Sequence, residues 1–257
     1  MNKIEFATTN ARTFSSWLKR FSILDNSLLI EVDLKNSYFI AKSHDEQRST
    51  VKSSKIGFVD SGLTIKASKE QKRIKVGVYN IPKLIKTFDH FNDAEFTFSI
   101  SYDELLTGEV KDLVGISLNM KNNKLKVDSD CTSLSIFKHI SDELFDTKIA
   151  STDSKLTSFG LTDKIIGEIN SLSGLDNDNK FLEIRTKDNN IYVCGKTFEL
   201  LIQEGVKCKD YSLNIFKEQF GNLDAENYEV SMCEDRLIFK SDDGLTTCVL
   251  SMVEKDD

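Results

Sequence analysis

Apolar residues in this chain follow two spacings, and the switches between them predict its elements. Over residues 12–24, Phe14, Trp17, Leu18 and Phe21 stand at i, i+3, i+4 and i+7, the one-sided stripe of a helix laid on a core. The stripe returns over residues 81–91 (Leu84, Ile85, Phe88, Phe91), with Pro82 suited to a first helical turn. It returns again over 162–172 (Ile165, Ile166, Ile169, Leu172) and, more briefly, over 215–223. Between these helices the period drops to two. Residues 27–32 with 37–41, and 180–184 with 190–194, read as pairs of short strands joined by polar turns rich in Lys, Asn and Asp.

These segments recur in order. The strand pair near residues 27–41 matches the pair at 180–194, each preceded by an apolar-faced helix. Residues 79–83 (YNIPK), leading to Phe88, Phe91, Phe96 and Phe98, match 213–217 (LNIFK), leading to Phe220, Leu223, Tyr228 and Val230. Residues 124–130 (KLKVDSD), with Leu134 and Ile136, match 236–242 (RLIFKSD), with Cys248 and Leu250, as alternating hairpins. Three ordered matches predict an α+β protein made of two tandem copies of one unit, each with two helices packed on antiparallel sheet. The first copy takes residues 1–137, with longer loops near 43–73 and 101–115; a connector takes 138–155 and the second copy 156–257. The connector is polar apart from Ile140, Leu144, Phe145 and Ile149, which need a surface to lie on.

Composition narrows the class. With 29% charged residues and no apolar run near twenty, nothing spans a bilayer, and residues 1–11 lack the apolar centre of a signal peptide; the expectation is a soluble, intracellular, cytoplasmic protein. Five cysteines, an odd number without C-x-x-C spacing, predict reduced thiols rather than a disulfide framework or zinc site. The net charge of −7 is unevenly divided: residues 1–148 hold 22 Lys/Arg against 20 Asp/Glu, and residues 149–257 hold 12 against 21. An acidic chain of this kind meets nucleic acid only through a particular basic face. Arg12, Lys19 and Arg20 on the first predicted helix, and Lys83, Lys86 and His90 on the second, supply such a face, opposed only by Asp89. In the second copy Lys164 and Lys217 stand among Asp163, Glu168 and Glu218. The plain alternative for each lysine is solvation of a helix's outer side.

Catalytic patterns are missing. His44, His90 and His139 sit in no H-E-x-x-H, and no G-x-G-x-x-G, G-x-x-x-x-G-K-[ST] or G-x-S-x-G occurs. The acidic pairs at Asp128/Asp130, Asp176/Asp178 and Asp242/Asp243 read as turn residues rather than metal ligands. No catalytic residue, metal or cofactor is expected.

The ordered repeat and the basic helix faces resemble the sliding DNA clamps, the proliferating-cell-nuclear-antigen type and more closely the shorter clamps of tailed phages. The likeness covers most of the chain; its most local element is residues 78–86 (VYNIPKLIK), similar to the clamp segment where a strand turns into the second helix with a Lys-x-x-Lys pair facing DNA. The resemblance implies a homotrimeric ring around duplex DNA, a non-enzymatic processivity factor that tethers a DNA polymerase and is placed by a clamp loader. It also implies a partner-peptide groove at the connector and the chain's end, giving candidate roles to Leu144, Phe145, Ile149, Met252 and Val253, with His44 from the loop after the second strand. Two other readings stay open: a monomeric or dimeric DNA-binding polymerase accessory subunit of the same fold, and a two-domain enzyme whose site leaves no motif.

Overall fold

A computed structural model describes the chain except residues 1, 9, 68–71, 92–94, 108–109, 141–153, 177 and 254–257. Contacts divide it into two compact units, Met1–Ser43 with Ser53–Ser141, and His44–Lys52 with Asp142–Asp257. The first contains β1 (Asn2–Thr8), α1 (Arg12–Lys19), β2 (Leu28–Asp33), β3 (Tyr38–His44), most of β4 (Thr50–Gly57), β5 (Thr64–Ala67), β6 (Arg73–Val78), α2 (Ile81–Phe91), β7 (Phe96–Thr107), β8 (Val110–Lys121) and β9 (Lys126–Asp130). The second contains β10 (Lys155–Leu161), α3 (Asp163–Leu175), β11 (Phe181–Lys187), β12 (Asn190–Cys194), β13 (Glu199–Gln203), β14 (Tyr211–Phe216), α4 (Lys217–Gly221), β15 (Tyr228–Cys233), β16 (Arg236–Ser241) and β17 (Thr246–Ser251). Apart from β5, the two orders are the same, so the recurrence seen in the sequence holds as an order of elements. Its third match is one strand out of step, because residues 126–130 form β9, the counterpart of β17, whereas 236–241 form β16, the counterpart of β8, and successive strands carry the same alternation.

In the first unit the strands run β4-β3-β2-β6-β8-β7-β1-β5, with β9 on β8; all pairings whose register is resolved there are antiparallel except β6 with β8. Alternation sends Phe6, Ile30, Val32, Phe39, Val76, Phe98 and Ile100 to the helix side, where Phe14, Trp17, Leu18, Leu84, Ile85 and Phe88 meet them in one core. Phe14 is its centre: its ring lies 4.8 Å from Phe39, 5.0 Å from Phe88 and 5.4 Å from Trp17. Gly77 has a steric reason. A Cβ there would stand 2.6 Å from the Phe137 ring and from the Thr132 carbonyl oxygen, so only glycine lets the segment after β9 lie on β6.

The second unit has a sheet β10-β15-β16-β17, extended past β17 by the start of β4, and a second sheet β13-β12-β11-β14. Ile166, Ile169, Phe220 and Leu223 pack on Leu182, Ile184, Ile191, Val193, Leu213, Val230, Phe239 and Leu250. Residues 44–52 lie in the first copy by sequence, yet they belong to this unit. The Ser251 amide donates to Ser49 O (2.7 Å), Gln219 Nε2 to Ser49 O (2.8 Å), and Lys52 Nζ to Asp224 Oδ1 (2.7 Å) with the lysine side chain 0% exposed.

Helix ends differ from the sequence pattern in three places, one of them the end of α3, which runs on to Leu175. The first helix stops at Lys19 and continues as turns to Leu24. The last is five residues, because β14 carries Asn214, Ile215 and Phe216 in extended backbone paired with β11. The second spans residues 81–91, as the stripe predicts. The cysteines are free thiols, and burial pushes Cys131 and Cys248 up to about 12, which keeps them protonated and unreactive.

Candidate nucleic-acid interface

Core burial decides which residues of α1 and α2 face outward. With Phe14, Trp17 and Leu18 inward on α1, Arg12, Ser16 and Lys19 are exposed and Arg20 half-buried. With Ile81, Leu84, Ile85, Phe88 and Phe91 inward on α2, Lys83, Lys86, Asp89 and His90 are exposed. Asn80 starts α2 by accepting the Lys83 amide on its side-chain oxygen at 2.8 Å, a cap that sets where the lysine stripe begins.

Asp89, the acid on this face, is held by α1. Ser15 Oγ donates to it at 2.6 Å and Lys19 Nζ stands 3.2 Å away. The Ser15 hydroxyl first, and Lys19 second, hold the Asp89 carboxyl below its ordinary value. Part of Lys19's charge is therefore answered within the protein. Among the described residues no carboxylate lies within ion-pair distance of Lys83 or Lys86. Beside α2 opens a concavity of about 790 Å³, lined by Tyr79, Pro82, Lys83, Lys86, Thr87 and His90 with Asn26 and Val127 behind them. Tyr79, 69% exposed, had no role in the sequence pattern; an aromatic just ahead of the Lys-x-x-Lys pair was the available signal.

The helices of the second unit present another surface. Thr162 Oγ1 accepts the Ile165 amide at the start of α3, and Asp163 lies in its first turn. Lys164, Gly167, Glu168, Asn170, Ser171 and Leu175 are exposed, Leu175 to 75%. On α4, Glu218 is exposed. Lys217, a candidate from the sequence, is half-buried and caps the end of α3 instead: its ammonium donates to Ser173 O at 3.2 Å and Asp176 O at 3.1 Å. That placement corrects the expectation of an outward-facing cation. The C-terminal end of α3 supplies two carbonyls, and the Lys217 side chain reaches them.

The partner candidates separate. Leu144, Phe145 and Ile149 lie outside the described residues. Met252 is 37% exposed and Val253 half-buried, and both follow β17 along the second unit, donating their amides to Asp235 O and Asn214 O at 2.8 Å. His44 is half-buried at the end of β3, its Nδ1 2.6 Å from Asp45 O. Among the described residues, no group of three or more His, Cys, Asp or Glu could hold a metal ion, and no helix is long and apolar enough to cross a membrane.

No family model matches this chain and no curated protein matches it. Solved structures do. The Helicobacter pylori beta clamp in complex with 5-chloroisatin is 12% identical with a TM-score of 0.69, covering 99% of this chain and 67% of that one. A putative DNA polymerase III beta subunit from Eubacterium rectale is 11% identical with a TM-score of 0.66, covering 99% and 66%. The A. fulgidus PCNA bound to the C-terminal region of FEN-1 is 10% identical with a TM-score of 0.63, covering 99% and 100%. The chain thus spans about two thirds of the bacterial clamps and the whole of the PCNA chain. It has the sliding-clamp fold in two tandem copies.

Proposed function

We propose that this chain, built on the sliding-clamp fold, is a sliding clamp: a non-enzymatic ring of three copies around duplex DNA that tethers a DNA polymerase. The observation that carries the reading is a mismatch between the two units. In the second, β17 is covered by residues 49–52, with α4 holding the segment through Gln219. In the first, β9 is the counterpart of β17, and among the described residues it pairs with β8 alone; β13, the counterpart of β4, pairs with β12 alone. An open strand edge invites another chain. Adding β13 of one copy to β9 of the next would repeat the strand pairing that β17 makes with β4, and a repeated head-to-tail contact gives a ring when its rotation closes on itself.

Size agrees with this reading. Three chains bring twelve helices; spaced about 10 Å apart they define a circle roughly 38 Å across their axes. Removing about 10 Å of helix thickness leaves about 28 Å, enough for duplex DNA and water. Arg12, Lys19, Arg20, Lys83, Lys86 and His90 would meet the phosphates without reading base edges, so the ring slides. Met252, Val253, His44 and the connector residues Leu144, Phe145 and Ile149 would form the seat for a polymerase peptide, and a clamp loader would open the ring.

Light scattering across a concentration series tests the ring. The expected result is the mass of three chains, and at a salt concentration that abolishes binding to linear duplex the ring should stay on closed circular DNA and leave when the circle is cut. A monomer at every concentration sinks the ring and leaves direct DNA binding by a single chain.

A further inference from the structure

We infer that the grip on DNA belongs to the first unit alone, and that α3 faces the same duplex with a surface that adds nothing to binding. The inference rests on the clamp reading above, in which both units present their helices to the hole. It goes further by giving the two kinds of helix opposite tasks.

On α2, Lys83, Lys86 and His90 run along one side at i, i+3 and i+7, with Thr87 between them, and α1 adds Arg12 and Lys19, the last offset by Asp89, so that Arg12, Lys83 and Lys86 remain as the surplus. The matching stripe on α3 is Lys164, Glu168 and Ser171 at i, i+4 and i+7, followed by Leu175. One cation next to one anion gives a duplex no net attraction, and Asp163 at the head of α3 adds repulsion. The other basic candidate of this unit, Lys217, is committed to the carbonyls of Ser173 and Asp176. Each chain therefore offers one attractive arc and one silent arc. In a ring of three copies the duplex meets three gripping surfaces separated by three neutral ones, and counterion release counts only the first kind. A ring that grips at three places keeps enough affinity to stay centred while leaving the duplex loosely held between contacts.

Equilibrium binding of the full chain to a labelled linear duplex, measured over a salt series, tests this. Lys83→Glu with Lys86→Glu should weaken binding roughly tenfold or more and flatten the slope of log K against log salt by about two. Lys164→Glu should change affinity by less than about twofold and leave the slope alone. Glu168→Lys with Ser171→Lys should tighten binding and steepen the slope by about two, because α3 already faces the phosphates and lacks only charge. All the altered residues are exposed, so circular dichroism and mass should match the parent.

A loss with Lys164→Glu equal to that with the α2 pair overturns the inference while leaving the clamp reading in place. No gain from the added α3 lysines also overturns it, since α3 would then be silent through position rather than charge. Failure of the unaltered chain to bind duplex at the lowest salt is a different outcome: it removes the DNA reading itself, and the inference with it.

Discussion

The two units share an order of elements and differ in what fills and faces them. The first has an aromatic core in which Phe6, Phe14, Trp17, Phe39, Phe58, Phe88 and Phe98 are in mutual ring contact, and its exposed helix face is basic. The second packs mainly Ile, Leu and Val under α3 and α4, with separate ring contacts at Phe220–Phe239–Tyr228 and Phe181–Phe216, and its exposed helix face is mixed. The comparison shows that this topology needs an apolar stripe of the right period and little else from a helix. Charge on the outer side is free to vary, so function can be distributed unequally over a symmetric frame.

Breaking the aromatic core should have the largest effect. Phe14→Ala should destabilise the first unit by about 3–5 kcal/mol, seen as a lower urea midpoint of Trp17 fluorescence; Trp17 is the one tryptophan of the chain and lies in this unit. A loss below about 1 kcal/mol would mean the aromatic cluster repacks as easily as an aliphatic one.

The second unit depends on its borrowed segment. Lys52→Ala removes the ammonium that the Asp224 carboxylate faces at 2.7 Å, where the two side chains are 0% and 11% exposed, and should cost about 3 kcal/mol. The effect should be larger in the far-ultraviolet dichroism midpoint than in the Trp17 midpoint, because the lesion lies in the other unit. Equal shifts in both would show that the units unfold as one.

Helix starts sharpen the contrast at a smaller scale. α3 has a side-chain cap from Thr162, whereas Ala11 at the head of α1 makes no side-chain cap bond. Thr162→Ala should therefore cost about 1 kcal/mol, readable in urea unfolding. The smallest effect belongs to Asp89. Its folded pKa is depressed by the Ser15 hydroxyl and Lys19, so its contribution is present above the unfolded carboxylate value of about 3.9 and is lost as pH falls through the folded value. Both partners of the Lys19 pair are solvent-exposed, at 53% and 41%, so Asp89→Asn should cost only a few tenths of a kcal/mol near neutral pH. The difference between parent and variant should vanish in acid; a gap that widens there reverses the sign and discards the ion pair as its source.

Much of this architecture was legible in order and period. The helix at residues 81–91 and the strand pairs near 28–44 and 181–194 follow from local spacing, because burial of one side of an element leaves a mark every two or three to four residues. The basic face of α1 and α2 was legible for the same reason: once Phe14, Trp17, Leu84 and Phe88 point inward, Arg12, Lys83 and Lys86 point out. Lys217 was not, since its role depends on the carbonyls of Ser173 and Asp176, more than forty residues earlier. Nor was the short last helix, because extended pairing of Asn214 and Ile215 with β11 overrides a weak local stripe.

What the chain determined by itself is therefore what local periodicity and recurrence carry: two copies, the stripes of α1, α2 and α3 with the sides of them that meet water, and the strand pairs near 28–44 and 181–194, whereas β4 and β5 lie in a segment that reads as loop. Tertiary structure decided the rest, in particular that residues 44–52 complete the second unit, that Lys52 is buried against Asp224, and that among the described residues β9 and β13 each pair along one side alone. The physical reason is range. A hydrophobic stripe is written within one element, whereas a hydrogen-bonded edge or a buried ion pair exists only between segments that folding brings together across the chain.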